Sequence, residues 1–406
     1  MSESSPKSDH PTLAEAQRLI LAHIHATESQ TQPLDQAEGR IAATTLAAPL
    51  PVPAFARSAM DGFAVRSRDL AGATPAAPAQ LPVKGEIAAG TTDIRRLDPG
   101  QARRIMTGGA IPPGADQVVP QERCREEGGI LFIPNPGRPG LHIRAKGTDC
   151  AKGQAIVRAG RRIAPEHLPL LAEAGLDQIP THRPPRVGIL CTGSELLAPG
   201  ATPLDGQIIG GNRFLLAALI RRAGGETVDL GLVADRRDAT LAALAEADLA
   251  GLDLLITTGG MGPGKYDLME TVLARREARV FYRALRVRPG KATVFALLGP
   301  TPLFALPGPP PAVRILFNET VAPALAKAQG LTRPLPKPLR ARLTAPLFLR
   351  KAGMLNLKGG VLAWSRNGLT VRPAARAEPI SAVILIPPHR RRIAVGETVT
   401  IHPVTI

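Results

Sequence analysis

Residues 252–267 read LDLLITTGGMGPGKYD. The first seven form a strand of the buried type, and a glycine-rich turn follows at once. In such a turn, the backbone N–H groups of Gly259, Gly260 and Gly264 can come close to a phosphate or an oxyanion. The acidic Asp267 closes the segment. Reading outward, the same rhythm repeats. RVGIL (186–190) is a strand, NRFLLAALIRRAG (212–224) a helix ending in glycine, and ETVDLGLV (226–233) a strand. DATLAALAEAD (238–248) is a second helix. Strand–helix alternation of this kind predicts a parallel α/β sheet with right-handed crossovers over residues 186–330.

Ligands of open α/β sheets bind outside the carboxyl ends of the strands. Three acidic residues fall at such ends: Glu195 after VGILCTGS, Asp235 after LGLVA, and Asp267 after the glycine turn. Each alone could cap a following helix. Together they make a candidate Mg2+ site, because Mg2+ takes oxygen ligands and keeps several waters. RVRPGKA (286–292) sets Arg286, Arg288 and Lys291 around a Pro-Gly turn, which suits an oxyanion; a solvated basic loop is the plainer alternative. FALPGPPPAV (304–313) reads as a strand, a tight turn at Leu306-Pro307-Gly308, and a helix.

The rest of the chain is organised differently. Thr12 and Glu15 match a capping box, and apolar residues recur at helical spacing across 12–28. A second helix is expected over 33–48, starting near Asp35, and a third over 160–179, with Gly175 near its end. Residues 62–145 alternate short apolar runs with Gly/Pro turns, as in a small β-rich domain. Pro334, Pro336 and Pro338 mark a linker, and alternating strands without helical pattern follow. The expected fold class is α/β plus β in several domains. These are a helix in 1–29 packing on the α/β domain, a linking domain from 30–50 and 146–185, and a β-rich insertion at 51–145. The α/β domain at 186–330 and a β domain at 336–406 complete it.

Bulk properties set limits. At 406 residues the chain exceeds one ordinary core. No apolar stretch approaches the ~18 residues of a membrane span, and the polar N-terminus lacks a signal core. Cys124, Cys150 and Cys191 show no metal-type spacing and read as ordinary thiols of a reducing cytoplasm. The net charge of +16 favours polyanionic partners. Much of it is local: residues 331–406 carry 13 Lys/Arg against Glu378 and Glu397. Aromatics are 3% of the chain, too few for base-stacking platforms, so nucleic acid is not an expected partner.

Six segments, in order, resemble the molybdopterin molybdotransferases, the family called MoeA in bacteria and the gephyrin E domain in animals. They are PVPAFARSAMDGFAV, GQARRIMTGGAIPPGADQVVPQE, HIRAKGTDCAKGQAIVRAGRRI, VGILCTGSEL with LLITTGGMGPGKYD, RVRPGKA, and FALPGPP. The resemblance is clear over residues 12–327 and weaker to 406. It implies a transferase of molybdenum cofactor biosynthesis that inserts molybdate into adenylylated molybdopterin and releases AMP. Mg2+ is the implied cofactor. By carry-over, Asp61, Thr107, Asp149, Glu195, Asp235, Asp267, Arg288 and Lys291 are the implied catalytic residues. Ser58, Thr192, Gly193, Gly259, Gly260, Gly264, Pro307, Gly308 and Ser381 are the implied binding residues, and Asp235, Asp267 and Glu195 the metal ligands. The resemblance also implies a homodimer whose site is completed across the interface, and partners among molybdoenzymes or cofactor-delivery proteins.

The chain departs from the family pattern in the anion-coordinating periphery. Gly262 replaces a serine, Lys265 an acid, and Pro309 an asparagine, while GGN (210–212) keeps only Asn212 of an Asp-Ser-Asn. In AGMLNLKGG, Met354 falls at the first of two family arginines, and Lys358 or Gly359 near the second. A paralogue that binds or delivers the cofactor without inserting metal, and a non-catalytic scaffold, are the alternatives this pattern leaves open.

Overall fold

The computed structural model describes residues 10–249, 251–260, 268–366 and 368–404. By contact the chain divides into two units: residues 1–30 with 182–406, and residues 31–181.

The first unit opens with α1 (Leu13–Ala22). Thr12 and Glu15 form the expected capping box, with each side chain bonded to the other's backbone N–H. Leu13, Ala16 and Ile20 are buried along one stripe. The helix stops at Ala22, short of the expected 28.

The α/β sheet has six strands: β1 (Arg186–Thr192), β2 (Glu226–Val233), β3 (Leu254–Thr258), β4 (Arg279–Tyr282), β6 (Val294–Leu298) and β7 (Thr301–Leu306). Between β4 and β6 lies the short β5 (Val287–Arg288), which belongs elsewhere. The sheet order is β2-β1-β3-β7-β6-β4. The first four are parallel, as expected; β6 alone runs the other way, antiparallel to both its neighbours β7 and β4. The sheet is therefore mixed, with one reversed strand added to the parallel set expected from the sequence. Leu298 pairs with Thr301, so Gly299-Pro300 makes a two-residue hairpin that returns the chain directly. Helices α2 (Asn212–Arg222), α3 (Arg237–Leu249), α4 (Leu268–Arg275), α5 (Pro310–Leu316) and α6 (Ala322–Ala328) accompany the sheet. Two buried clusters fill its faces. One joins α1, α2 and α5 around Ile189, Ile256, Phe295 and Phe304, and the other joins α3 and α4 around Leu190, Leu255 and Leu303.

Strands β8 (Leu339–Leu343), β9 (Leu355–Ser365), β10 (Gly368–Pro373), β11 (Ala382–Ile386) and β12 (Thr398–Pro403) close into a barrel. The ring runs β9-β10-β8-β12-β11 and back to β9. The long β9 closes it by pairing with β10 near one end and β11 near the other. β5 leaves the α/β run and adds to β9 in parallel, Val287 opposite Leu355 and Arg288 opposite Asn356. A π-helical turn (Phe317–Val321) connects α5 and α6 and carries the fully buried Glu319. Its carboxylate accepts from His402 Nδ1 of β12 at 2.7 Å and from Asn318 Nδ2 at 3.0 Å.

The second unit is built on a six-stranded sheet: 117–120, 62–65, 102–105, 79–87, 130–133 and 125–127, in that order. The helix expected over 33–48 is absent: a 3-10 turn (Leu34–Gln36) and a short strand (Leu46–Ala47) stand there. Gly39 adopts φ +74°, which no helix accommodates, and Thr44-Thr45 are β-branched. The third expected helix is only His167–Glu173, because Gln178–His182 is a strand. All three cysteines are free, as expected. No described helix is long and apolar enough to cross a membrane.

The Glu319–His402 bond predicts a stability effect. His402→Leu leaves a buried carboxylate oxygen short of a donor, at an expected loss of about 1–3 kcal/mol. A lower urea midpoint of unfolding is the measurement; an unchanged midpoint contradicts this role.

Candidate functional site at the strand ends

The turn after β1 is tied to the end of β2. Gly193 N–H donates to Val233 O at 3.0 Å, and Asp235 N–H donates to Ser194 Oγ at 3.0 Å. These bonds fix Glu195 and Asp235, which are both exposed, at the carboxyl ends of neighbouring parallel strands. The Glu195 carboxylate lies over Gly193: a Cβ there would stand 2.8 Å from each of its oxygens. Glu195 is not a helix cap, because a two-residue strand (Leu196–Leu197) follows it and α2 begins only at Asn212.

The turn after β3 closes the same edge. Gly259 has φ +94°, and a Cβ would come within 2.0 Å of Thr192 O, so glycine is required. At Gly260 a Cβ would stand 2.9 Å from Thr192 Oγ1 and 3.8 Å from Asp235 Oδ1. Thr192, Gly193, Glu195, Asp235, Gly259 and Gly260 therefore meet at the ends of three adjacent strands. Gly264 and Asp267 lie outside the described residues. Among the described residues, no three His, Cys, Asp or Glu side chains gather as a metal set. Beneath this edge, Cys191 is buried, which pushes its thiol up, and it accepts from Thr258 Oγ1 at 3.4 Å. It is a structural thiol.

Pro307 and Gly308 follow β7 at the next strand end. Asn212 Nδ2 donates to Gly308 O at 2.7 Å and so joins the start of α2 to this turn. Asn212 Oδ1 is buried without a partner among the described residues. Proline at 309 supplies the extended residue before α5, and Pro310 starts the helix.

Arg288 and Lys291 flank Gly290, whose φ is +107°. A Cβ there would come within 2.6 Å of Leu316, so the turn packs closely on α5. Leu285 N–H to Lys291 O at 3.0 Å and Thr293 Oγ1 to Gly290 O at 2.6 Å close the loop. Neither cation has a hydrogen-bond or ion-pair partner among the described residues. Ser381 sits in the barrel, where its Oγ accepts Leu362 N–H at 2.8 Å.

The remaining expected site residues belong to the second unit. Ser58 Oγ donates to Met60 O at 2.6 Å and shapes the Ser-Ala-Met-Asp loop. Gly62 ends that loop where a Cβ would come within 2.1 Å of Val119 O. Asp61 Oδ1 accepts both Thr107 N–H and Thr107 Oγ1 at 2.7 Å. These bonds, the backbone one first, hold its carboxyl below the ordinary range. Asp149 pairs with Arg144 at 2.5 Å, which raises the Arg144 pKa further. This unit's cavity of about 740 Å3 is elsewhere, lined by Gln117, Cys124, Phe132 and His142 among others, and holds none of these residues. Burial pushes the Cys124 thiol up to about 11. The sequence reading missed Ser194 and Arg144. Ser194 is 41 positions from Asp235, and no local pattern could link them.

A family model for the MoeA N-terminal region (domain I and II) matches residues 11–175, and one for a probable molybdopterin binding domain matches 188–327. A Mycobacterium tuberculosis protein named molybdopterin molybdenumtransferase 2 is 36% identical over 343 residues, covering 83% of this chain and 84% of its own. The chain belongs to the MoeA family. A molybdopterin molybdenumtransferase of Haemophilus influenzae is 33% identical and covers 97% of this chain and 98% of its own. The solved structure of a molybdopterin biosynthesis moeA protein from Pyrococcus horikoshii superposes with a TM-score of 0.82. It is 26% identical and covers 97% of this chain and 100% of its own. This MoeA family chain carries both matched regions in one polypeptide.

The Asp61–Thr107 bonds predict a pH effect. A depressed carboxyl stabilises the folded state above the ordinary value of about 3.9, and that gain is lost as pH falls through the depressed value. Thr107→Val removes one donor and should move the Asp61 midpoint upward in a carboxyl NMR titration. An unmoved midpoint would show that the hydroxyl contributes nothing.

Proposed function

We infer that this protein is a molybdopterin molybdenumtransferase: it inserts molybdate into adenylylated molybdopterin and AMP leaves. The observation that carries the reading is the strand-end edge. Glu195 and Asp235 lie over glycine turns, with no described Lys or Arg paired to either. On the same unit, Arg288 and Lys291 flank a Pro-Gly turn with no acidic partner among the described residues. One edge thus offers hard oxygen donors over glycine turns, while the Pro-Gly turn offers cations without an acidic partner. A phosphorylated pterin and a molybdate dianion need these groups.

In this proposal the glycine turn after β3, beside Thr192 and Gly193, receives the phosphate oxygens of the pterin adenylate on its backbone N–H groups. Arg288 and Lys291 hold the molybdate dianion, Arg288 as a planar fork and Lys291 as a point charge. The donor set fits Mg2+: Glu195 and Asp235 are exposed carboxylates on neighbouring strands, and Asp267 follows the third turn in sequence. When bound there, Mg2+ neutralises phosphate charge and orients the attacking oxygen on the pyrophosphate link. Asp61 stays ionised through its two bonds from Thr107 and is kept as an acceptor for a substrate donor. Asp149, held by Arg144, and Ser58, which sets the Asp61 loop, are positioning groups. Ser381 contributes through the barrel wall. A homodimer and delivery of the cofactor to a molybdoenzyme are also part of the proposal.

Two experiments test it. Purified protein with adenylylated molybdopterin and Mg2+ should release AMP in a molybdate-dependent manner. Asp235→Asn should raise the Mg2+ concentration needed for half-maximal release. Binding of the adenylate without AMP release would replace the transferase reading with that of a cofactor-holding protein. Separately, Lys291→Ala should weaken molybdate binding roughly tenfold, as expected for one charge-assisted contact, with the fold unchanged. Equal affinity in equilibrium dialysis would remove Lys291 from the site.

A further inference from the structure

The second unit's cleft of about 740 Å3 is of the size that holds a small organic molecule. Strands 117–120 and 130–133 frame it, although they stand first and fifth in the sheet order. The twist of the sheet brings both to one hollow. Val119, Phe132, Ile133 and Leu141 give it apolar walls. Five prolines stand among the lining residues, and their fixed φ keeps the cleft formed before any ligand arrives.

Two polar groups of this lining lack partners. Gln117 is 4% exposed, and its Oε1 accepts Arg138 N–H at 2.7 Å. That bond fixes which way round the amide stands, so Nε2 is the donor left over, with no partner among the described residues. His142 holds the left-handed backbone at φ +57°, a strain that clusters at ligand sites. Its Nε2 is buried without a partner among the described residues. The charges of the cleft, in contrast, are matched. The Arg125 guanidinium lies over the Phe132 ring at 5.0 Å and pairs with Glu127 at 2.7 Å. Glu122 and Arg123 are adjacent lining residues of opposite sign. The cleft therefore calls for a neutral ligand that can accept a hydrogen bond.

We propose that this cleft is a second ligand site, for an uncharged planar heteroaromatic ring of purine or pterin size. A ring nitrogen or carbonyl of the ligand accepts from Gln117 Nε2, and the ring face packs on the wall at Phe132. A purely apolar ligand leaves the Gln117 donor unmet, and a site built around a buried donor rejects it for that reason. An anion finds no unmatched charge. The site shares no residue with the strand-end edge or with the Asp61–Thr107 pair, and it does not rest on the transferase reading.

The test is equilibrium dialysis of the full-length protein against two probes, adenosine and neopterin, each followed by its ultraviolet absorbance. The wild type should bind at least one, and which of them binds tells purine from pterin. Gln117→Glu keeps the acceptor for Arg138 N–H and puts a second acceptor where the donor stood. It should weaken binding roughly tenfold, the loss of one hydrogen bond. Phe132→Leu keeps an apolar wall, removes the flat ring and should weaken binding about fivefold. Thermal midpoints establish that each variant is folded; where Gln117→Glu does not fold, Phe132→Leu decides in its place. Unchanged affinity in the folded variant places the probe at another site and overturns the assignment. No binding of either probe to the wild type at millimolar concentration leaves the cleft to water and overturns it as well.

Discussion

A carboxylate with no access to water has to be satisfied by the protein, and Glu319 is such a group. It sits in a π-helical turn, a local widening that displaces its backbone from the ordinary helical ladder. Asn318 donates to one oxygen and His402 to the other. Its carbonyl oxygen accepts from Gln17 of α1 at 2.8 Å. One residue therefore binds the N-terminal helix, the α5–α6 segment and the barrel strand β12. The relative placement of these three elements depends on it, because moving any of them would strand a buried polar group. His402 and Gln17 also line a cavity beside Arg286 and Met354. The constraint that joins the barrel to the α/β layer thus also shapes a pocket next to the cationic loop.

The strand-end edge has a different logic. No single strong interaction holds it; close backbone approach does. Gly259 lets the turn after β3 pass against Thr192 O, and Gly193 makes room for the Glu195 carboxylate. One backbone bond to Ser194 then fixes Asp235. A side chain at Gly259 would collide with Thr192 O, and one at Gly193 with the Glu195 carboxylate. Exposed carboxylates persist here because the parallel strands all end on one side and concentrate turns there.

Much of this was legible in the chain. The strand Glu226–Val233 and the start of α2 at Asn212 match the reading, because buried strands and amphipathic helices each have a short-range period. The capping box at Thr12 is visible for the same reason: its partners are three residues apart. The failures have equally physical causes. The expected helix over 33–48 contained a glycine whose positive φ serves a turn. The reversed strand β6 went unread, although Gly299-Pro300 is a hairpin signal that the strand–helix rhythm obscured.

Residue pattern alone determined the α/β rhythm, the glycine turns at strand ends, the acids beside them and the basic Pro-Gly loop. These are local properties, written in spacing and in the backbone freedom of glycine. Tertiary structure alone decided that β5 leaves its neighbours to join a barrel strand some 70 residues later. It alone decided that Arg286 therefore stands beside Met354, that Ser194 holds Asp235, and that His402 answers Glu319. Register and long-range hydrogen bonds depend on which surfaces are buried together, and no window of sequence contains both partners.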